Sequence, residues 1–324
     1  PKPGQTIGDP ACGTGGFFLS AYNYLLENFG SKMDPDQKKF LKEKTFKGWD
    51  IVTEVVRLCA MNMYLHGIGS TESQIVAGDS LISDPSDRFD IIMTNPPFGK
   101  KSSTIIFNEE GRAERETLSY ERDDFWTTSS NKQLNFLQHV TTLLDENGKW
   151  SIVVPDNVLF EGGSGETVRQ KMLDLFDCHT LLRLPTGIFY AGGVKANVLF
   201  FDKKPPKTDG TPITQKLWIY DFRTNQHFTM KENPLTRDHL DDFVKCYNAK
   251  NILKRKETEQ FHAYSYDELI KRDKVSLDIS WLKDDSLEDI DNLPAPEIIA
   301  DEIKENLESA LDSINELIDN LEKK

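Results

Sequence analysis

Short apolar runs alternate with apolar residues at helical spacing over the first 222 residues of the chain. The short runs predict strands and the helical spacing predicts amphipathic helices. The predicted strands are residues 5–9, 46–50, 74–78, 89–94, 149–155, 178–184, 196–202 and 216–222. The predicted helices are residues 17–26, 52–66, 133–144 and 166–176. This alternation predicts a doubly wound α/β sheet with helices on both faces, in which 178–184 and 196–202 form a hairpin.

The pattern changes after this sheet. We expect three parts: a sheet domain over residues 1–222, a mixed connecting region over 223–293 and a C-terminal helix over 294–324. Inside the first part, residues 98–132 form a polar, charged stretch with little periodicity. Connections of this length are usually functional or disordered. The cations of this stretch are Lys100, Lys101, Arg112, Arg115 and Arg122, and they could close over a nucleic acid.

The C-terminal helix carries a heptad pattern, and Pro294 and Pro296 mark its start. Its apolar residues step by alternating threes and fours; this heptad seam consists of Ala300, Ile303, Leu307, Ala310, Ile314, Leu317 and Leu321. Such a seam packs against another helix. Three heptads are the lower limit of the signal, so the partner can be another subunit or the helix's own domain.

The net charge of −14 is concentrated in the tail. From residue 284 onward, fourteen Asp or Glu residues stand against three Lys, a net charge of −11, which leaves −3 for residues 1–283. Affinity for nucleic-acid phosphates depends on Lys and Arg. A nearly neutral body therefore predicts weak binding to DNA without a partner.

The composition argues against several other classes of protein. Hydrophobic residues make up 38% and charged residues 28%, as in ordinary globular proteins. No apolar run approaches the roughly 18 residues of a membrane span, and the first residues lack a signal-peptide pattern. The four cysteines form no CxxC pair, which disfavours a disulfide framework or a zinc site. We expect a cytoplasmic protein with reduced thiols and no membrane contact.

A glycine-rich turn joins the first predicted strand to the first predicted helix, with the sequence Asp9-Pro-Ala-Cys-Gly-Thr-Gly-Gly-Phe17. Its glycines let a ligand approach the backbone, and the helix start offers free N–H groups to a carboxylate. The spacing departs from the GxGxxG of dinucleotide-binding proteins. A tight turn without a ligand is the alternative.

Carboxylates end the next two predicted strands. Asp50 can accept both ribose hydroxyls of a nucleoside-like cofactor, or it can cap the helix over 52–66. Asp79, followed by Ser80, can accept a hydrogen bond from an adenine amino group. Taken alone, each of these signals is weak.

Asn95-Pro96-Pro97-Phe98 follows the predicted strand 89–94 directly. Successive prolines fix the backbone, so the Asn95 amide oxygen and the Pro96 carbonyl become two fixed acceptors. Two acceptors on the hydrogens of a conjugated amino group turn its lone pair toward an electrophile. Phe98 offers a stacking face for a flipped base, and a structural turn is the alternative.

The glycine-rich turn and Asn95-Pro-Pro-Phe98 together resemble the amino-methyltransferases that use S-adenosylmethionine. Further segments narrow the resemblance to the modification subunit of type I restriction-modification systems over essentially the whole chain. They are Met61-Asn-Met-Tyr-Leu-His-Gly67, Val153-Val-Pro-Asp-Asn-Val-Leu-Phe160, Leu184-Pro-Thr-Gly-Ile-Phe189 and Trp218-Ile-Tyr-Asp-Phe-Arg223.

This resemblance implies a Rossmann-like enzyme that methylates N6 of a flipped adenine in DNA. It implies S-adenosylmethionine as cofactor, with its methionine part at the glycine-rich turn, its ribose at Asp50 and its adenine at Asp79. The implied cofactor-binding residues are Asp9, Ala11, Thr14, Gly15, Gly16, Phe17, Asp50, Asp79 and Ser80. The implied catalytic residues are Asn95, Pro96, Pro97 and Phe98, and Phe189 is either a second aromatic against the base or a core residue.

The resemblance also implies partners. A separate specificity subunit reads the DNA sequence and contacts the C-terminal helix, a second modification subunit completes the methylase, and a restriction subunit can join it. The family has a helical region and a Phe-x-Thr-Pro segment before the first strand, whereas this chain starts almost at that strand. We therefore expect a fragment of the subunit.

The chemistry expected is direct transfer of the sulfonium methyl to the amino nitrogen, with inversion and without a metal. No Pro-Cys nucleophile is present, because Cys12 lies in the glycine-rich turn, so methylation of a cytosine carbon is disfavoured. A protein-glutamine methyltransferase is one alternative, although it usually has Tyr in place of Phe98. The other is a scaffold subunit that binds the cofactor without catalysis.

Overall fold

The computed structural model describes residues 1–69, 72–99, 119–189, 194–226, 228–230 and 233–282, the backbone of two strands between 103 and 117, and Pro296, Ala300, Ile303, Lys304, Leu307 and Leu311. The strands are β1 Ile7–Asp9, β2 Phe46–Asp50, β3 Ile75–Ala77, β4 Phe89–Thr94, β5 Ser103–Phe107, β6 Ala113–Thr117, β7 Leu144–Pro155, β8 Asp177–Arg183, β9 Ala196–Asp202, β10 Lys216–Asp221 and β11 Phe261–Ser265. The helices are α1 Gly16–Phe29, α2 Pro35–Glu43, α3 Thr53–Leu65, α4 Lys132–Thr142, α5 Asn157–Phe160, α6 Ser164–Leu175, α7 Asp241–Tyr247 and α8 Tyr266–Ile270.

Nine strands form one sheet in the order β11-β10-β8-β9-β7-β4-β1-β2-β3. Strand β1 lies between β2 and β4 and is parallel to both, with Ile7 opposite Phe46 and Ile91. Strand β3 is parallel to β2, and β7 to β4. The carboxyl ends of these strands therefore meet at one edge, which is where open α/β sheets bind ligands. The predicted fold class is confirmed.

The sheet continues beyond the predicted hairpin. Strands β8 and β9 are neighbours, as predicted, but β10 is parallel to β8, and β11 is antiparallel to β10. The pair therefore lies inside the sheet, and β11 comes from the region expected to be a connection. The expected strand 149–155 begins five residues earlier, at Leu144 in β7, with a register shift between Phe89 and Ile91.

The chain divides into two compact units. The first consists of Pro1–Val154, Thr167–His179 and Leu199–Gln215, and the second of Pro155–Glu166, Thr180–Val198 and Lys216–Lys324. Each is a discontinuous set of segments, so neither coincides with a single stretch of sequence. The three sequence domains expected above are consecutive stretches and stay a prediction.

The first unit has a core formed by β1, β2, α1 and α3. Ile7, Phe18, Phe46 and Cys59 are fully buried there, and the rings of Phe18 and Phe46 lie 5.5 Å apart. Helix α2 was not predicted, although it begins with a complete capping box in which the Asp34 carboxylate accepts the Gln37 N–H at 2.8 Å.

The second unit joins two of the segments quoted for the family resemblance. Arg223 donates two hydrogen bonds to the Asp156 carboxylate at 2.7 and 2.9 Å, and Asn197 donates to the same group at 2.8 Å. Burial raises the pKa of the Asp156 carboxyl, but the hydrogen bonds and charge of Arg223 hold it below its ordinary value. Asp156 is thus ionised at neutral pH and joins its own segment to those of Arg223 and Asn197.

The polar stretch 98–132 and the C-terminal helix are described in part. The stretch 98–132 contains an antiparallel hairpin of β5 and β6, which its sequence did not predict. Of the heptad seam, Ala300, Ile303 and Leu307 are described, and all three are helical and exposed. Ala310, Ile314, Leu317 and Leu321 lie outside the described residues. The helices that the structure describes include none long and apolar enough to cross a membrane.

Candidate active site

The glycine-rich turn lies at the carboxyl end of β1. Asp9 is 2% exposed, and its Oδ1 accepts the Ala11 N–H at 3.0 Å. Gly13 and Gly15 have φ values of 54° and 83°, in the left-handed region that favours glycine. A Cβ on Gly15 would lie 2.9 Å from Cys59 Sγ, so α3 packs directly under the turn.

The turn leaves room above it and ends at an open helix terminus. A Cβ on Gly13 or Gly16 would meet no heavy atom of the described residues within 4 Å. Helix α1 starts at Gly16 without a side-chain cap and without an acid in its first turn. Its first N–H groups and its dipole are therefore available to a carboxylate. Phe17, 37% exposed, begins the same turn of helix.

Burial makes Asp9 an unusual carboxyl group. Desolvation raises its pKa to about 7, although the Ala11 N–H opposes this, and the negative charge of Asp50 raises it further. Asp9 therefore gains or loses a proton close to physiological pH, and a cation beside it would favour the ionised form.

Asp50 connects the end of β2 to the glycine-rich turn. Its Oδ2 accepts the Gly13 N–H at 3.2 Å and its Oδ1 accepts the Val52 N–H at 2.9 Å. The helix-cap alternative is not observed, because Val52 occupies the N-cap position of α3 and no side chain caps it. The half-buried carboxylate keeps lone pairs for further donors.

Asp79 and Ser80 follow β3 at the same edge. The Asp79 Oδ1 accepts the Leu81 N–H at 2.9 Å, and its Oδ2 accepts the Tyr120 hydroxyl at 2.6 Å. Ser80 donates its hydroxyl to the Pro10 carbonyl at 2.9 Å and so ties this segment to the glycine-rich turn. The structure thus brings the turn, Asp50 and Asp79 together.

Asn95-Pro-Pro-Phe98 leaves the carboxyl end of β4, beside β1. The pairing of Gly8 with Ile92 places Thr94 and Asn95 next to the end of β1. Asn95 is exposed, Pro96 is buried and Phe98 is half-buried. This segment therefore presents the Asn95 side chain at the edge that also carries the glycine-rich turn.

Phe189 belongs to the second unit, in the connection between β8 and β9, and it is half-buried. All the other predicted site residues belong to the first unit. A stacking role for Phe189 stays a prediction.

Arg122 does not lie where the sequence led us to expect it, and the contact of Tyr120 with Asp79 was not predicted. Instead of facing a nucleic acid, the Arg122 side chain is 5% exposed, pairs with Asp124 at 2.6 Å and donates to the Leu81 carbonyl at 3.1 Å. Lys100, Lys101, Arg112 and Arg115 are not among the residues whose side chains the structure describes. No local pattern marks Tyr120, because its partner Asp79 lies 41 residues away.

Two exposed isoleucines were also missed. Ile51 directly follows Asp50 and is 67% exposed, and Ile82 follows Ser80 by two residues and is 66% exposed. Exposed isoleucines beside polar groups provide apolar surface for a planar ligand. An apolar residue just past a strand-ending acid was the available signal. The described residues contain no group of three or more His, Cys, Asp or Glu side chains that could hold a metal.

Comparisons with known proteins identify relatives of this chain. The sequence model of the N-6 DNA Methylase family matches residues 1–286. The chain is 36% identical, over 98% of its length and 64% of theirs, to the type I restriction enzyme methylase subunits StySPI of Salmonella potsdam and EcoKI of Escherichia coli K12. It therefore spans less than two thirds of the length of these relatives.

Solved structures show the same relationship. The crystal structure of the type I restriction enzyme EcoKI M protein superposes with a TM-score of 0.75 at 34% identity, covering 99% of this chain and 70% of that one. A chain from a structural study of complex assembly in the type I R-M system has a TM-score of 0.71 at 26% identity, covering 100% of this chain and 63% of that one.

Proposed function

Because the chain belongs to the N-6 DNA methylase family, we propose that it transfers a methyl group from S-adenosylmethionine to N6 of an adenine flipped out of DNA. The observation that carries this proposal is the position of Asn95-Pro-Pro-Phe98, beside the glycine-rich turn at one edge of the sheet. A base held by the first and a cofactor held by the second would meet there.

The residues at this edge fit the cofactor. The free N–H groups at the start of α1 suit its carboxylate, and the buried Asp9 suits its positive charge. Asp50 and Asp79 keep lone pairs for the ribose hydroxyls and the adenine amino group, and Ile51 and Ile82 offer apolar surface for the adenine ring. When bound, S-adenosylmethionine would supply an electrophilic methyl group.

Asn95 and Pro96 would hold the target amino group. The Asn95 amide oxygen and the Pro96 carbonyl accept its two hydrogens, which draws the nitrogen lone pair out of conjugation and toward the methyl group. Phe98 would stack on the flipped base, a contact worth about 1–3 kcal/mol. The nitrogen–methyl bond would form as the methyl–sulfur bond breaks, with the electron pair staying on sulfur, and one of the two amino hydrogens would then leave to water as a proton.

DNA recognition is proposed to need other subunits. The body of the chain is nearly neutral and the tail is strongly acidic, so neither part carries the net positive charge that favours binding to DNA phosphates. The exposed seam residues Ala300, Ile303 and Leu307 suit a helix of a specificity subunit. A second modification subunit and a restriction subunit would complete the assembly, as the resemblance to type I modification subunits implies.

Asn95→Ala tests the role of the acceptor. In the complex of the full-length subunit with its specificity partner, we expect methyl transfer from labelled S-adenosylmethionine to DNA to fall about a hundredfold or more. Cofactor binding should stay within about twofold, because Asn95 acts on the base.

The matched control is Asn28→Ala, which removes an exposed amide at the far end of α1. It should leave transfer unchanged, and the subunit without its partner should methylate poorly. Full activity of Asn95→Ala would contradict the proposed role. Label in protein instead of DNA would favour the glutamine methyltransferase, and cofactor binding without transfer by the unaltered complex would favour the scaffold.

A further inference from the structure

The carboxylate of Asp79 is held from two sides. Its Oδ1 accepts the Leu81 N–H at 2.9 Å, within the same turn, and its Oδ2 accepts the Tyr120 hydroxyl at 2.6 Å, from a distant segment. Asp79 is half-buried, whereas Tyr120 is 8% exposed. A partly exposed carboxylate with only the local bond could change rotamer, and the second bond removes that freedom.

The segment that carries Tyr120 is itself anchored. Tyr120 forms a β-bridge with Ser129, and the Arg122 guanidinium donates to the Leu81 carbonyl at 3.1 Å and contacts His139 Nδ1 at 3.1 Å. Burial, together with the positive charge of Arg122, lowers the pKa of His139 to about 3, so its neutral ring accepts the Arg122 hydrogen. The Tyr120 hydroxyl is therefore a fixed donor.

We propose that Tyr120 is a positioning residue of the cofactor site, whose hydroxyl orients the Asp79 carboxylate to accept the adenine amino group of S-adenosylmethionine. This inference rests on the proposed function, because it requires Asp79 to contact that amino group. A carboxylate has about four lone-pair positions, and two remain after Leu81 and Tyr120 are bonded. Preorienting them lowers the entropy that binding must spend on ordering the side chain.

The position of Tyr120 in the chain gives this contact a second consequence. Tyr120 lies within the polar stretch 98–132, and its hydroxyl joins that stretch to Asp79. The Tyr120–Asp79 hydrogen bond therefore connects two features: the stretch that begins at the proposed base site, and the proposed adenine subsite of the cofactor.

Tyr120→Phe tests this role, because it removes the hydroxyl and keeps the buried ring. The ligands are S-adenosylhomocysteine and its analogue with an unsubstituted purine, which lacks the 6-amino group. With the full-length subunit, we expect calorimetry to show about threefold to tenfold weaker binding of S-adenosylhomocysteine, and unchanged binding of the deamino analogue. A merely structural role would weaken both ligands equally.

Two further variants complete the design. Tyr64→Phe changes a tyrosine that is 79% exposed on α3 and should leave both affinities unchanged. In an Asp79→Asn background, adding Tyr120→Phe should have no further effect on the binding of S-adenosylhomocysteine, because the group that Tyr120 orients has changed. Thermal unfolding of each variant reports whether it is folded.

The positioning role would be overturned, with the proposed function intact, if Tyr120→Phe weakened the binding of both ligands equally or of neither. It would also be overturned if Tyr120→Phe weakened the binding of S-adenosylhomocysteine as much in the Asp79→Asn background as in the unaltered protein. Failure of the unaltered subunit to bind S-adenosylhomocysteine at all would instead overturn the proposed function, and this inference with it.

Discussion

Asp9 shows how one residue combines burial with function. It is 2% exposed at the end of β1, and desolvation raises its pKa to about 7. An acid in such a place costs stability once it is ionised. That cost is consistent with a group kept for a positively charged ligand, since the ligand would compensate the charge that folding alone leaves unfavourable.

The pH dependence of stability follows from this shift. The folded pKa of about 7 exceeds the ordinary value of 3.8, so between these pH values the folded state binds more protons than the unfolded state. The contribution of Asp9 to the free energy of unfolding of the cofactor-free protein therefore falls as pH rises through this window. Asp9→Asn should be more stable than the unaltered protein at pH 8, by up to about 4 kcal/mol, and nearly equal near pH 4.

Urea unfolding at several pH values between 4 and 8 measures this difference. Asp36→Asn, which changes an exposed aspartate of α2, is the control and should show little pH-dependent difference. An advantage of Asp9→Asn that is the same at every pH would show that Asp9 is ionised throughout, contrary to its buried position.

At the scale of elements, the glycine-rich turn is restricted in two ways. Gly15 has a φ of 83° and sits where a Cβ would lie 2.9 Å from Cys59 Sγ, whereas Gly13 has a φ of 54° and open space beside it. The first position combines backbone strain with a close approach to α3, and the second has the backbone strain alone.

Gly15→Ala should therefore destabilise the protein more than Gly13→Ala. We expect about 2–4 kcal/mol for the first and about 1 kcal/mol for the second, measured by urea unfolding. In a Cys59→Ala background, Gly15→Ala should cost less stability than it does in the unaltered protein, because the Sγ atom that the new Cβ would meet has been removed. Equal losses for the two glycine variants would mean that contact with α3 does not restrict the turn.

The accuracy of the sequence predictions varies with the element for physical reasons. Strands β2, β4 and β9 have the predicted bounds, because each is a compact run flanked by polar, charged or turn-forming residues. The first part of β7 was not predicted, because the sequence Asp145-Glu-Asn-Gly148 is polar. This part of the strand forms through pairing with β4. Helix α2 was missed although Asp34, Pro35 and Gln37 carry a recognisable capping signal.

Some residues of the candidate site were predicted from the sequence and others were not. The glycine-rich turn, Asp50, Asp79 and Asn95 stand at or just after the ends of parallel strands, which come together at one edge. Their roles were predicted from the family resemblance. The roles of Tyr120 and Arg122 were not, because they come from contacts with residues 41 positions away. Tertiary contacts at such separation leave no periodic signal in a single sequence.

For the whole molecule, the distribution of charge is consistent with the proposal that other subunits recognise the DNA. Residues 1–283 are nearly neutral and the remaining tail has a net charge of −11. The described residues of the heptad seam are exposed. Both features support the proposal that partners supply the net positive charge and the matching helix that DNA recognition needs.

The identity of the methylated atom tests the central claim most directly. DNA should be incubated with S-adenosylmethionine and the complex of the full-length subunit with its specificity partner, digested to nucleosides and analysed by mass spectrometry. The proposed function predicts N6-methyladenine as the only new nucleoside, absent when the subunit carries Asn95→Ala. Methylated cytosine, or no methylated nucleoside from a complex that binds the cofactor, would contradict it.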